Sequence, residues 1–254
     1  MFVLIQLFIA AGVLLLLYLL SKDRGSKEPR SMLWAALGFG LLAIPIAMFF
    51  ESFIGIRDFL DVEGMPMGWL AQQALWIGLI EECAKFLPLA IFIYKKGYFN
   101  EHTDGVLYFA VAGLGFGVPE NILYTVQEGT ATGVGRLILT PIFHAATTAF
   151  IGYYLARAKV ERRSLRGPAL ALVAMILVHA FYDFGLLSQE ALLVFGSVLT
   201  TASISGALFL YASTAKKQDE FWGLSAIGTN KFCRKCGRAN PHLYLYCARC
   251  GKRA

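Results

Sequence analysis

This chain is short of charge. Of its 254 residues only 16% are Asp, Glu, Lys or Arg, against about a quarter in an ordinary soluble domain. With 57% hydrophobic residues and a mean hydropathy of +0.59, both a disordered chain and a cytosolic globule are excluded. Cysteine is scarce too: there are five, four of them after residue 230, which excludes a secreted scaffold stapled by disulfides. The same composition excludes a fibrous fold. Phe2 to Leu20 lacks any charge, no basic residue precedes it and no small-residue cleavage site follows. It therefore reads as a retained helix and not as a removable signal peptide.

What the chain has instead is apolar runs of about 20 residues between short charged segments, the pattern of a polytopic membrane protein. The formal charge of +6 and pI near 9.1 raise nucleic acid as a partner. The Lys and Arg residues, however, sit mainly in a few loops and the tail, which a positive-inside bias accounts for more simply, so nucleic acid is not expected. Spans are read at 2–20, 32–50, 69–94, 105–126, 136–157, 167–187 and 191–213. At about 1.5 Å per residue each can cross a hydrocarbon core of about 30 Å. The expected fold is all-α, with seven transmembrane helices over residues 1–215.

The loops alternate in basic content. Lys22, Arg24, Lys27 and Arg30 follow the first span, Lys95 and Lys96 the third, Arg157 to Arg166 the fifth, and Lys216 and Lys217 the last. The intervening loops hold Glu51, Arg57, Asp58, Asp61 and Glu63, then Glu128, then Glu190, and are poor in Lys and Arg. This places the N-terminus outside and the C-terminus in the cytoplasm. Phe53 to Met67, with Gly55, Gly64 and Pro66, reads equally as a partly embedded amphipathic loop or a plain exposed one.

Ionisable groups at membrane depth are costly and usually mark function. Here they concentrate in four spans. Glu81, Glu82 and Lys85 have spacings of four and three, which puts Lys85 beside both carboxylates on one helical face. A lysine there can keep one carboxylate ionised while its crowded neighbour takes a proton, the split that acid–base work needs. In the next span Gly113 and Gly117 form a small-residue face for close helix approach, and Pro119 can bend the helix just before Glu120 and Asn121. Pro141 precedes His144, and Thr147 and Thr148 follow it. His179 and Asp183 are four apart, so the carboxylate can orient the imidazole.

Counting inward at about 1.5 Å per residue sets Glu120 and Asp183 roughly 6–9 Å deep, His144 and His179 roughly 12 Å, and both Glu81 and Glu82 roughly 18 Å. The six groups can share one cavity. Plainer readings compete with that one: an ion-pair network for Glu81, Glu82 and Lys85, a satisfied core histidine for His144, and packing roles for Asn121 and the glycines. Cys83 reads as a small core residue before it reads as a nucleophile.

The ordered set E-E-x-x-K at Glu81 to Lys85, F-x-x-x-E at Phe116 to Glu120, His144 alone in the next span, and H-x-x-x-D at His179 to Asp183 resembles the PrsW-type intramembrane proteases. That group is similar to the wider superfamily of CAAX prenyl endopeptidases and bacteriocin-processing enzymes. The likeness covers about residues 65–190. It implies an active site of Glu81, Glu82, Glu120, His144, His179 and Asp183, supported by Lys85, Phe116 and Asn121. It also implies peptide-bond cleavage in or next to the bilayer, with a membrane-anchored protein as substrate. The best-known role in the family is the first cut in a membrane-anchored anti-sigma factor.

Both lines fit hydrolysis by an activated water. Glu81 or Glu82 is the general base, His144 and His179 hold the water or oxyanion, and Lys85 tunes the carboxylates. Two histidines with carboxylates can also bind zinc with an open position, but the H-E-x-x-H pattern is absent, which favours the metal-free version.

After Lys217 a linker (216–230) leads to a second module at 231–254. Cys233-x-x-Cys236-Gly and Cys247-x-x-Cys250-Gly are two knuckles of a four-thiolate site, read as a cytosolic ribbon holding structural zinc. Two disulfides would require the opposite topology. Pro241 and the alternating Leu243 to Tyr246 suit a hairpin between the knuckles, and the basic surface can meet a cytosolic protein partner or lipid headgroups. Rival readings of the whole are a proton- or cation-coupled transporter, for which internal repeats are missing, and a non-catalytic membrane scaffold.

Overall fold

The computed structural model describes residues 1–22, 28–54, 62, 64–137, 139–222 and 224, and in the tail 231–232, 239–240, 247 and 250. Its long helices fall on the seven apolar runs: α1 (Phe2–Lys22), α2 (Arg30–Glu51), α3 (Met67–Phe92), α4 (His102–Glu128), α6 (Leu139–Val160), α7 (Arg166–Ser188) and α8 (Ala191–Phe221). Five of them, α1, α2, α4, α7 and α8, are long and apolar enough to cross a membrane by themselves. A short α5 (Thr130–Arg136) joins α6 at a bend of 43°, and the pair counts as a sixth. α3 is long enough, but Glu81, Glu82 and Lys85 in its interior set it apart.

The fifth run was expected to be one helix from residue 136. Instead α5 ends there and α6 starts at Leu139. Gly129, Gly133 and Gly135 weaken helix continuation, while Pro141 falls in the first turn of α6, where its missing N–H costs nothing. Most of the 53–67 loop lies outside the described residues.

The core is the α4–α6 pair, which buries most of both helices. Glycine sets its closeness: a Cβ on Gly105 would collide with Gly152, and one on Gly113 with the backbone of His144. Around the pair, α2 closes on α4 through Gly40 and Gly115, and α3 closes on α7 through Gly78, where a Cβ would meet Ile176 O at 2.8 Å. A Phe- and Tyr-rich cluster including Phe99, Tyr108, Phe109 and Tyr153 fills the half of the bundle toward the start of α4 and the end of α6.

That end is tied by a second polar cluster. Asp219, near the end of α8, caps α4: its carboxylate accepts from His102 N at 2.7 Å and Thr103 N at 2.8 Å, in a place where the helix N-terminus favours negative charge. The buried His102 ring sets Nδ1 2.7 Å from Asp219 and Nε2 3.1 Å from Glu161, just past α6. Lys159 donates to Tyr94 O and Lys96 O, so the ends of α3 and α6 share this side.

In the tail, β1 (Lys231–Phe232) pairs antiparallel with β2 (Ala239–Asn240). The pairing therefore brackets the first knuckle. The hairpin expected between the knuckles falls at 241–246, outside the described residues, as do Cys233 and Cys236.

Candidate active site

Four helices deliver the polar groups to one place. On α3, Lys85 Nζ is 2.8 Å from Glu82 Oε1 and 3.5 Å from Glu81 Oε2, as the spacing of four and three requires. Lys85 has no exposure at all, and its ammonium also lies 4.5 Å over the Phe116 ring of α4. It donates to His144 Nδ1 at 3.1 Å.

The two adjacent glutamates point differently. Glu82 is fully buried, and its Oε1 gathers Lys85, Thr147 Oγ1 at 3.1 Å and His179 Nδ1 at 2.8 Å. Glu81 instead turns into a cavity of about 400 Å³ that Glu120, His144, His179 and Asp183 also line. Its Oε2 is 3.5 Å from His179 Nε2 and 4.0 Å from His144 Nδ1, too far for hydrogen bonds, and has no such partner. Five of the six expected groups thus share the cavity. Glu82 stands behind it: adjacent residues on a helix point about 100° apart, so only one of the pair can face the opening.

His144 is held at the start of α6 between Lys85 and Glu120, whose Oε2 lies 2.8 Å from Nε2. A Cβ on Gly117 would come within 2.8 Å of the His144 ring, so glycine there makes room for it. His179 is 3.5 Å from Asp183 on the same face of α7. Asn121 and Phe116 are not in the cavity wall; Asn121 donates to Gly117 O and accepts from Arg136 Nε at 2.7 Å. Cys83 is half-buried and does not line the cavity.

Sequence reasoning gave Arg136 no role. It lines the cavity, contacts Glu120 at 3.2 Å and stacks 4.0 Å over the Tyr124 ring. Its signal was an arginine at a loop otherwise poor in basic residues. Tyr124, Thr140, Tyr182 and Thr201 also line the cavity without having been singled out.

Glu81, His144 and His179 each offer a ligand atom, and these atoms lie within 4.8 Å of one another. That is a three-donor set of the kind zinc takes. Lys85, however, already sits among these atoms. His144 offers Nδ1 to the ammonium, while its Nε2, 2.8 Å from Glu120, makes no aligned hydrogen bond. An ion held by Nδ1 of His144 would have to displace Lys85 from it.

A family model described as PrsW family intramembrane metalloprotease matches residues 28–212. The Protease PrsW of Geobacillus kaustophilus is 35% identical over 192 residues, 75% of this chain and 82% of that protein. The Protease PrsW of Bacillus subtilis is 33% identical over 186 residues, covering 72% and 83%. That of Clostridioides difficile is 28% identical over 195 residues, covering 73% and 81%. No solved structure matches.

Proposed function

The chain belongs to the PrsW family of intramembrane proteases and is an integral membrane peptide hydrolase; on that premise we propose that Glu81 is its general base. A transporter reading is set aside by the family. The observation that carries the proposal is Glu81 Oε2, buried, without a hydrogen-bond partner and facing the cavity between two imidazoles. A carboxylate so placed can take a proton from a water as its oxygen attacks a peptide carbonyl, and return it to the leaving nitrogen. His179 donates Nδ1–H to Glu82, which fixes its tautomer and aims Nε2 into the cavity. His144 and His179 flank the water and the developing oxyanion, and Lys85 supplies the positive charge that keeps the carboxylates in register. Glu82 acts through His179 and Lys85 as a positioning residue. Glu120 and Asp183 orient the two imidazoles.

No step runs through a metal in this reading. The clustering of Glu81, His144 and His179 supports the rival in which a divalent ion sits there. Elemental analysis separates them: the metal-free enzyme keeps activity in a chelator and carries zinc only in its tail.

The substrate is a membrane-anchored protein, an anti-sigma-factor-like protein being one such, cut in or near the bilayer. We infer seven spans, α3 included, with the N-terminus outside. Support comes from the Lys- and Arg-rich segments at one end of the bundle and from the Lys159 bonds that put the ends of α3 and α6 on that side. The tail is read as a zinc ribbon at 231–254 with Cys233, Cys236, Cys247 and Cys250 as ligands; the β1–β2 pairing around the first knuckle and the buried Cys247 support it. It is the surface for a cytosolic partner.

The test is bulk N-terminal sequencing of membrane-protein fragments from cells with wild type or Glu81→Gln at equal level. Fragments confined to wild type identify the substrate and the depth of the cut. Identical fragment sets in the two would overturn the proposal.

A further inference from the structure

Resting on that endopeptidase reading, we propose that the substrate's transmembrane segment reaches the cavity sideways, through a portal between α5 and α8. Both helices line the cavity, α5 through Gly135 and Arg136 and α8 through Val198 and Thr201. Yet α5 packs on α1, α4 and α6 and, among the described residues, its backbone approaches neither α7 nor α8, although the Arg136 side chain faces Tyr182 of α7 across the cavity. Two walls of one cavity that do not meet directly leave a gap, with α1, α4 and α6 the helices that touch both of its sides. The other walls close on each other: α3 on α7, α7 on α8, α6 on both, and α4 on α6.

The residues at the gap are open to the surroundings. Val198 lines the cavity and is still 43% exposed. Gly135 is exposed as well, and a Cβ built on it would find nothing within 4 Å. Beside the gap α8 presents Phe195 outward at 65% exposure, an apolar surface on which a membrane helix can lie. The occupant is therefore a single apolar helix arriving from lipid.

Such a helix must unwind before one of its peptide bonds can be cut, and each freed N–H and C=O then needs a partner within the membrane. The cavity offers threonine hydroxyls and the Arg136 guanidinium for that purpose. α5 itself is pinned by Arg136 to Glu120 and Asn121 and leaves α4 at Gly129, whose φ of +96° is a turn that favours glycine. The pin sets the width of the gap.

The test uses Val134→Cys/Phe195→Cys enzyme, whose two positions are exposed on α5 and α8 outside the cavity lining, in proteoliposomes, with and without a reducible bis-thiosulfonate bridge, each state compared with the other in the same protein. Two probes are cut in parallel: a single-span reporter with a Gly-Pro break in the outer half of its membrane segment, and a soluble peptide of those outer residues. Bridging is expected to lower reporter cleavage about tenfold or more, reversed by reductant, while peptide cleavage changes by less than about twofold. Undiminished reporter cleavage in the bridged enzyme, or equal loss for both probes, would overturn the portal. Wild-type enzyme that cuts neither probe would instead overturn the endopeptidase reading beneath it.

Discussion

At one end of the bundle His144 and His179 lie among Glu81, Glu82, Glu120 and Asp183; at the other, His102 lies between Asp219 and Glu161. Both clusters are buried histidine–carboxylate groups joining several helices. At the His102 end the bonds are short and complete: Asp219 accepts two backbone N–H groups, the Thr103 hydroxyl and the imidazole. At the other end six buried atoms, Glu51 Oε1, Glu81 Oε2, Glu82 Oε2, Glu120 Oε2, His144 Nε2 and Asp183 Oδ2, lack an aligned hydrogen bond, and a cavity opens beside them. A satisfied network rigidifies, and an unsatisfied one is costly unless something else enters it. The difference separates a clamp from a reaction site built of the same residue types.

Glu81→Gln should break the comparison most visibly. The change keeps shape and removes the base, so cleavage should fall on the order of 10³-fold, with thermal stability unchanged or raised, in a reporter assay paired with melting. Glu82→Gln should lose stability as well as activity, because Lys85 then loses the nearer of its two buried carboxylates and the His179 N–H its charged acceptor.

Asp219→Ala should do the reverse at the clamp. Removing one partner of a buried charged cluster, which also accepts the His102 and Thr103 N–H groups beside the Glu101–Asp104 capping box of α4, should cost about 3 kcal/mol of stability. The surviving folded enzyme should turn over at nearly the wild-type rate. A large kcat loss at full occupancy of the folded state would erase the distinction between the two ends.

Gly117→Ala sharpens the geometry at the reaction end. The new methyl would press on the His144 ring, and a displacement of this kind should slow cleavage about tenfold to a hundredfold with a smaller loss of stability. Circular-dichroism melting and kcat measured together give both numbers.

The smallest effect is a pH dependence at the clamp. Burial alone would raise the Glu161 carboxyl, but hydrogen bonds from Arg157 and His102 outweigh it and hold the group below its ordinary range. A depressed carboxylate contributes stability above its unfolded pKa, about 4.3, and that contribution is lost as pH falls through the lower folded value. Melting temperature should therefore drop on acidification below about pH 4, and Glu161→Gln should flatten that limb by at most about 1 kcal/mol, as for a partly solvated pair.

Much of the site was legible because helical spacing is local information. Lys85 beside Glu81 and Glu82, and Asp183 beside His179, follow from intervals of three and four, and the Gly113–Gly117 face does meet the next long helix. Arg136 escaped because it lies where a helix was expected to begin, and its partners Glu120 and Asn121 are about four helical turns of sequence away. His102 and Asp219 escaped for a stronger version of the same reason: 117 residues separate them, and no periodicity spans that distance.

The sequence by itself determined the helical, membrane-embedded class, the positions of the long helices and the residue types available for chemistry, since apolarity and 3.6-residue spacing act within a single segment. Only the tertiary structure decided which glutamate of the adjacent pair faces the cavity, that α5 breaks away from α6, and which histidine cluster is left unsatisfied. Those outcomes depend on how each helix is rotated against its neighbours. Glycine contacts such as Gly78 on α7 and Gly117 on His144 set that rotation, and they join residues far apart in the chain.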